Sequence, residues 1–303
     1  MDPSILLGAV EAGGTKFVCG VGNALCGSRE TKVLQTNDPV ATFAGVNAFF
    51  HDVARRYGRI AALGIASFGP LELDSRSQEY GWITSTPKAG WANTDILGAL
   101  AGSLNIPGAI DTDVNAAALA EADTAGRGGM DSLIYVTVGT GVGVGIVVNG
   151  GTVHGHGHPE MGHIIVRRHS EHGDFPGICP YHGDCLEGLA SGPAIKSAWG
   201  ASLADLPAHH KAWEIEADYI AQLCSVLILT LAPQRIVLGG GVMSQPRLLP
   251  AIHRRTAHWL AGYLSAYDRP EYLSRCIVPP ACREPPGLIG AYLLAERVCA
   301  QRR

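Results

Sequence analysis

Long hydrophobic runs are missing from this chain. Its longest apolar stretch lies within residues 220–232 and is interrupted by Gln222, Ser225 and Thr230. That is too short and too polar to cross a bilayer, which takes about 20 apolar residues, so it reads as a buried helix. Residues 1–8 carry neither the basic segment nor the apolar core of a secretory signal. Charge is scarce as well: charged residues make up 17%, and 23 basic against 27 acidic side chains leave a net charge of −4. Nothing there favours a nucleic-acid or an anionic membrane partner. No Walker A stretch occurs, and no linker or low-complexity segment divides the 303 residues. The eight cysteines are scattered. Without a signal, a reducing cytoplasm is the expected setting, where a cysteine cluster means metal or catalysis before disulfide.

Glycine is abundant, at 39 residues, nearly twice the usual share of about 7%. One local pattern uses it twice. Residues 5–10 read as a strand, meet Glu11-Ala12-Gly13-Gly14-Thr15-Lys16, and continue as a second strand over 17–21. Residues 133–138 meet Gly139-Thr140-Gly141-Val142-Gly143-Val144-Gly145 and continue over 146–148. Each predicts a hairpin whose turn carries little side chain. Bare backbone N–H groups beside Thr15, Lys16 and Thr140 suit a phosphate, although an ordinary hairpin turn accounts for the first equally well. The second does not fit Gly-x-Gly-x-x-Gly, which disfavours a Rossmann site. A third strand, from Arg235, ends in Gly239-Gly240-Gly241, where backbone could lie against a flat base. Strands around 60–67 and 109–111 alternate with helices over 114–122 and 288–300, which predicts an α/β fold of two similar lobes with a cleft between them.

Asp111-Thr112-Asp113-Val114-Asn115 places two carboxylates and an amide at a strand-to-helix junction. Asp is also a favoured N-cap. Two of them, with Asn115, between two glycine loops, favour a general base that accepts a hydroxyl proton, held ionised by the helix N-terminus. Seven of the 12 histidines fall between His154 and His182. Cys179-x2-His182-x2-Cys185 offers three soft ligands on one loop, and His163 can complete a tetrahedron, which is a closed, structural Zn²⁺ site. His154, His156, His158, His169 and His172 are left as surface residues. Glu160 and Glu187 flank the cluster, and from spacing alone they read as solvated.

Taken together, Glu11–Phe17, Ser67–Pro70, Thr86–Trp91, Asp113–Asn115, His158–His163 and Cys179–Pro193 resemble the ROK (repressor, open reading frame, kinase) family, closest to its bacterial fructokinase branch. The likeness runs from about residue 7 to 295. It implies a two-lobed actin/hexokinase-like (ribonuclease H-like) α/β fold. The smaller lobe would be residues 1–117 plus 288–303; the larger, residues 118–287, would carry the zinc loop and a dimer surface. It implies phosphoryl transfer from ATP, with Mg²⁺, to the 6-hydroxyl of D-fructose by a cytoplasmic homodimer. Asp113 would be the catalytic base. Gly13, Gly14, Thr15 and Lys16 would hold phosphate with Thr140 and Gly141; Gly239, Gly240, Gly241 and Pro193 would meet the rest of the nucleotide. Gly69, Pro70, Asn115, Glu160 and Glu187 would line the sugar, and His163, Cys179, His182 and Cys185 would hold Zn²⁺.

Two positions depart from the family pattern. Glu11 stands where aspartate is usual, and Lys88 stands where glucose-specific members carry asparagine, which disfavours glucose. A broader hexokinase acting on mannose or glucose is the alternative enzyme. A sugar-responsive repressor needs a DNA-binding module, for which the stretch before Glu11 leaves no room.

Overall fold

The computed structural model describes residues 5–125, 130–267 and 269–301. In chain order the elements begin with strands β1 (Leu7–Ala12), β2 (Lys16–Asn23) and β3 (Gly27–Gln35), then helix α1 (Pro39–Tyr57). Next come β4 (Leu63–Ser67), the short strands β5 (Trp82–Ile83) and β6 (Thr94–Asp95), β7 (Gly108–Thr112) and α2 (Asp113–Ala125). Strands β8 (Leu133–Val138), β9 (Val142–Val148) and β10 (Gly151–Thr152) follow. Helices α3 (Leu186–Ala190), α4 (Gly192–Trp199) and α5 (Ala212–Leu231) lead into β11 (Arg235–Gly239). The last elements are α6 (Leu248–Leu260), α7 (Pro270–Cys276), β12 (Ile277–Val278) and α8 (Pro286–Ala300).

The chain divides into two units: Met1–Gly129 with Val147–Pro159 and Cys282–Arg303, and Met130–Ile146 with Glu160–Ala281. The expected boundary at 117/118 falls inside α2, and the structure keeps the described part of that helix with the first unit.

In the first unit the sheet order is β3-β2-β1-β4-β7. The β1–β2 and β2–β3 pairs are antiparallel, while β1–β4 and β4–β7 are parallel. Strands β1 and β4 are buried along almost their whole length and are apolar but for Glu11 and Ser67 near their C-terminal ends, as strands covered on both faces tend to be. Helix α1 starts where Asp38 accepts the Ala41 N–H at 2.9 Å, with Pro39 in the first turn. Its buried face, with Phe43, Val46, Phe49, Phe50 and Val53, joins the core around Phe17, Leu63, Ile65 and Trp91. Helix α8 packs on this sheet and on α2 at backbone range. A side chain at Gly64 would run into the Ala291 carbonyl, and one at Gly290 into the Ala116 carbonyl. Only glycine permits either approach.

The strand pattern is used a second time, in the order β10-β9-β8-β11-β12, with β8–β11 and β11–β12 parallel. The duplicated glycine hairpins of the sequence are therefore equivalent strands of two sheets with one topology. Helix α5 is buried along most of its length, as its apolar stretch predicts. Among the described residues, no helix is long and apolar enough to cross a membrane.

Candidate active site

The first unit gathers the acid–base groups. The turn after β1 is closed by the Gly13 N–H donating to the Lys16 carbonyl at 2.9 Å. Thr36, at the end of β3, clamps it: its N–H donates to the Thr15 carbonyl at 3.0 Å and its hydroxyl to the Gly13 carbonyl at 2.8 Å. Gly14, Thr15 and Lys16 stay exposed. Glu11 precedes this turn. Burial, and then the like charge of Asp113, push its carboxyl up to about 7, against the opposing pull of Lys16. Gly287, in the first turn of α8, leaves room for it: a Cβ there would meet Glu11 Oε1 at 2.7 Å.

Asp113 opens α2, and its Oδ1 accepts the Val114 N–H at 2.9 Å. The helix N-terminus was expected to keep this carboxylate strongly ionised. Burial outweighs that and raises it to about 6, which brings a base close to the operating range where proton transfer is efficient. Asp111, two residues earlier and 1% exposed, is fully engaged. Its Oδ1 accepts from the Thr112 N–H (2.8 Å), Asn115 Nδ2 (2.8 Å) and His154 Nε2 (3.0 Å), and its Oδ2 from the Thr152 hydroxyl (2.8 Å). Asn115 is 1% exposed and locked by Asp111. Gly69 and Pro70 form the loop after β4; the Pro70 carbonyl accepts both the Thr84 N–H (2.8 Å) and hydroxyl (3.1 Å). Trp91 is wholly buried among Phe17, Phe43 and Phe68, and its indole N–H donates to the Asn37 carbonyl at 2.9 Å. That anchors the loop carrying Lys88, whose carbonyl accepts the Trp91 N–H at 3.2 Å.

The second unit holds the other glycine loop and the candidate metal ligands. Gly139 N–H donates to the Gly141 carbonyl at 2.9 Å, and the Gly139 carbonyl accepts the Gly192 N–H at 2.7 Å, tying the loop to the start of α4. A cavity of about 410 Å³ opens there, lined by Gly139, Thr140, Gly192, Pro193, Gly241 and Val242 with Ser202, Leu203, Ala204 and Gln245. Thr140, Pro193 and Gly241 thus line one cavity. Gly141 is not among the lining residues; it packs beside Glu187. Gly239 and Gly240 line a neighbouring cavity of about 540 Å³ with Met243, Leu249 and Pro280. Ser202, Leu203, Ala204 and Gln245 went unread because they lie in or beside single 3-10 turns with no motif spacing.

His163 Nδ1, Cys179 Sγ, His182 Nδ1 and Cys185 Sγ all lie within 4.8 Å of one another. Cys179 Sγ is 3.7 Å from both histidine nitrogens, and Cys185 Sγ is 3.5 Å from His163. Ligands on a tetrahedral Zn²⁺, with Zn–S of about 2.3 Å and Zn–N of about 2.0–2.1 Å, stand roughly 3.6 Å apart, so the four fit that ion. Glu160 is exposed beside this centre. Glu187, half-buried on α3, turns to the glycine loop, where its Oε2 accepts the Val142 N–H at 2.9 Å.

Of the histidines read as surface residues, His172 is buried, His158 is half-buried, and His154 is exposed, as expected, but held by a hydrogen bond. His172 is 6% exposed, stacked on Trp199 and Phe175, with Nδ1 2.7 Å from the Tyr219 hydroxyl. His154 is bound to Asp111, and His158 Nε2 accepts the Leu71 N–H at 3.1 Å. Each partner is remote in sequence, so no local signal marks them.

The sequence profile of the ROK family matches residues 7–298. A fructokinase of Zymomonas mobilis is 42% identical over 293 residues, covering 96% of each chain. One of Streptococcus mutans is 38% identical over 300 residues, covering 98% of this chain and 100% of its own. The crystal structure of a ROK hexokinase from Thermus thermophilus shares the fold, with a TM-score of 0.79 at 24% identity, over 98% of this chain and 100% of that one. Full-length matches of this strength leave one assignment: the chain belongs to the ROK family.

Proposed function

We propose that this protein is a fructokinase, which transfers the γ-phosphoryl group of ATP to the 6-hydroxyl of D-fructose. The observation that carries the reading is Asp113, a carboxylate with its pKa raised to about 6, held at the head of α2. The full-length relatives named fructokinase support the sugar. Asp113 takes the hydroxyl proton while the sugar oxygen bonds to the γ-phosphorus. The bond from that phosphorus to the β,γ-bridging oxygen breaks, and ADP leaves. The exposed turn Gly14-Thr15-Lys16 and the Thr140 loop hold phosphate oxygens. Gly239–Gly241 and Pro193 take the nucleoside. Gly69, Pro70 and Glu160 take the sugar, with Asn115 ordering the site and Glu187 fixing the second glycine loop. Mg²⁺, when bound, neutralises charge on the phosphates. Zn²⁺ on His163, Cys179, His182 and Cys185 is structural, because four protein ligands leave no open position. Ile165, Ile178 and Tyr181 stand exposed around that loop, apolar area of the kind a homodimer covers. A cytoplasmic location belongs to the same reading.

The test is a Mg·ATP-dependent assay on fructose, mannose and glucose. The expected result is a kcat/KM for fructose well above that for glucose, in keeping with Lys88 in the Thr86–Trp91 loop. A glucose value equal to or above that for fructose makes the protein a broader hexokinase.

A further inference from the structure

Between β10 and Glu160 the chain reads His154-Gly155-His156-Gly157-His158, and the Gly155 N–H folds it back by donating to the Gly157 carbonyl at 2.8 Å. Its two outer histidines grip different segments. His154 Nε2 lies 3.0 Å from Asp111 Oδ1 and 3.4 Å from Asn115 Nδ2, at the root of the helix that carries Asp113. His158 Nε2 lies 3.1 Å from the Leu71 backbone nitrogen, directly after Gly69–Pro70, with its ring against Gly69. Asp111 is a carboxylate and accepts, so His154 donates to it. The Leu71 N–H can only donate, so His158 must offer an unprotonated Nε2 and carry its proton on Nδ1. The two rings therefore favour opposite protonation: His154 is pushed up by its bond to Asp111, and His158 is pushed down by burial.

We propose that His158 is a positioning residue for the sugar. Its unprotonated Nε2 holds the Leu71 N–H and so fixes the Gly69–Pro70 loop, His154 anchors the other end of the clasp on Asp111, and protonation of His158 releases the loop and weakens sugar binding. The identity of the sugar rests on the fructokinase reading; the clasp does not. Protonated His158 would present an N–H to an N–H, so the bond is lost outright rather than weakened. The charged groups that face it are Asp111, which favours the proton, and His154, which opposes it; the Pro159 backbone also favours the proton, and burial outweighs both. The middle histidine, His156, adds a minor attraction that helps to lower Asp74.

The test compares wild type, His158→Gln and His158→Ala. Glutamine places an amide oxygen near the position of Nε2, accepts the same N–H and does not titrate. Fructose affinity is measured by calorimetry without nucleotide from pH 8 to pH 5.5. In wild type the Kd rises on acidification through and below the ordinary histidine value of about 6.5. His158→Gln restores most of the alkaline affinity and lacks that part of the rise. His158→Ala binds fructose about tenfold more weakly at pH 8, the scale of one lost hydrogen bond, with ATP affinity unchanged. Any contribution from Asp113 is common to wild type and glutamine variant and cancels in their ratio. Long-range ¹⁵N–¹H spectra of the wild-type imidazoles should show His158 protonated on Nδ1 alone. A glutamine variant with the same acid weakening as wild type, or a His158 protonated on Nε2 at pH 8, overturns the proposal. Should wild type bind no fructose at any pH, the substrate reading fails, and the tautomer still decides the clasp. Should the alanine variant not fold, the glutamine profile and the spectra decide it.

Discussion

At the scale of single residues, the chemistry turns on where a carboxyl group is allowed to keep its charge. Asp113 combines burial with a position at the start of α2, and the balance leaves it at about 6. Asp113→Asn is nearly isosteric but cannot accept the hydroxyl proton, so turnover is expected to fall by about 10²–10⁴ with sugar and ATP binding retained. Near-wild-type steady-state rates in the purified variant would remove Asp113 from the role of base. The wild-type kcat/KM should fall as the pH drops below about 6, where Asp113 is protonated. Asp113 was legible in the sequence because a carboxylate at a helix start between two glycine loops is a local pattern. So was the His163, Cys179, His182, Cys185 set, since three of its ligands share one short loop. His154, His158 and His172 were not. Their roles come from Asp111, Leu71 and Tyr219, and composition alone makes a histidine-rich stretch look solvated.

Elements were legible where glycine or proline punctuates them. The β1–β2 hairpin follows from its turn residues, and the helix read over 114–122 starts at Asp113. What runs inside an element was harder to see. Helix α5 carries Glu216 with no exposed surface, its Oε1 accepting the Trp199 indole N–H at 3.0 Å and its Oε2 without a hydrogen-bond partner among the described residues. Burial pushes this carboxyl up to about 8. The folded protein holds the neutral acid while the unfolded chain ionises at the ordinary value. Its stabilising share is therefore full below that value and lost as the pH rises through about 8. Glu216→Gln keeps an acceptor for Trp199 and removes the titration. Its melting temperature should exceed that of wild type by roughly 5 °C at pH 8.5 and match it near pH 4.5. Thermal scans at both values check this, and a variant equally destabilised at both would contradict it.

At the scale of the whole molecule, the repeated hairpin announced the repeated sheet, but the composition of the units was hidden. Residues 147–159 belong to the first unit because β10 and the histidine clasp pack on α2 and Asp111, and contacts so remote leave no periodicity. The His163, Cys179, His182 and Cys185 cluster, by contrast, lies wholly within the second unit. Gly162 sits against the Val142 carbonyl and Glu187 holds the Val142 N–H, so both flanks of the zinc segment bear on the glycine loop. One zinc per chain is expected by elemental analysis. Cys179→Ser should lose it, melt at lower temperature, and raise the KM for ATP as well as for fructose. An active preparation with far less zinc than protein, or a Cys179→Ser enzyme with both constants unchanged, would count against the site.

The backbone contacts of α8 bear on the order in which a ribosome can complete this protein. Every residue of the second unit is synthesised before α8, which is the piece that covers β4 at Gly64 and α2 at Ala116. A nascent chain therefore has all of its second unit in hand while the first, though begun earlier, still presents an uncovered sheet face to solvent. Synthesis starts one unit and finishes the other, and in that interval the unfinished sheet is a natural client for a chaperone.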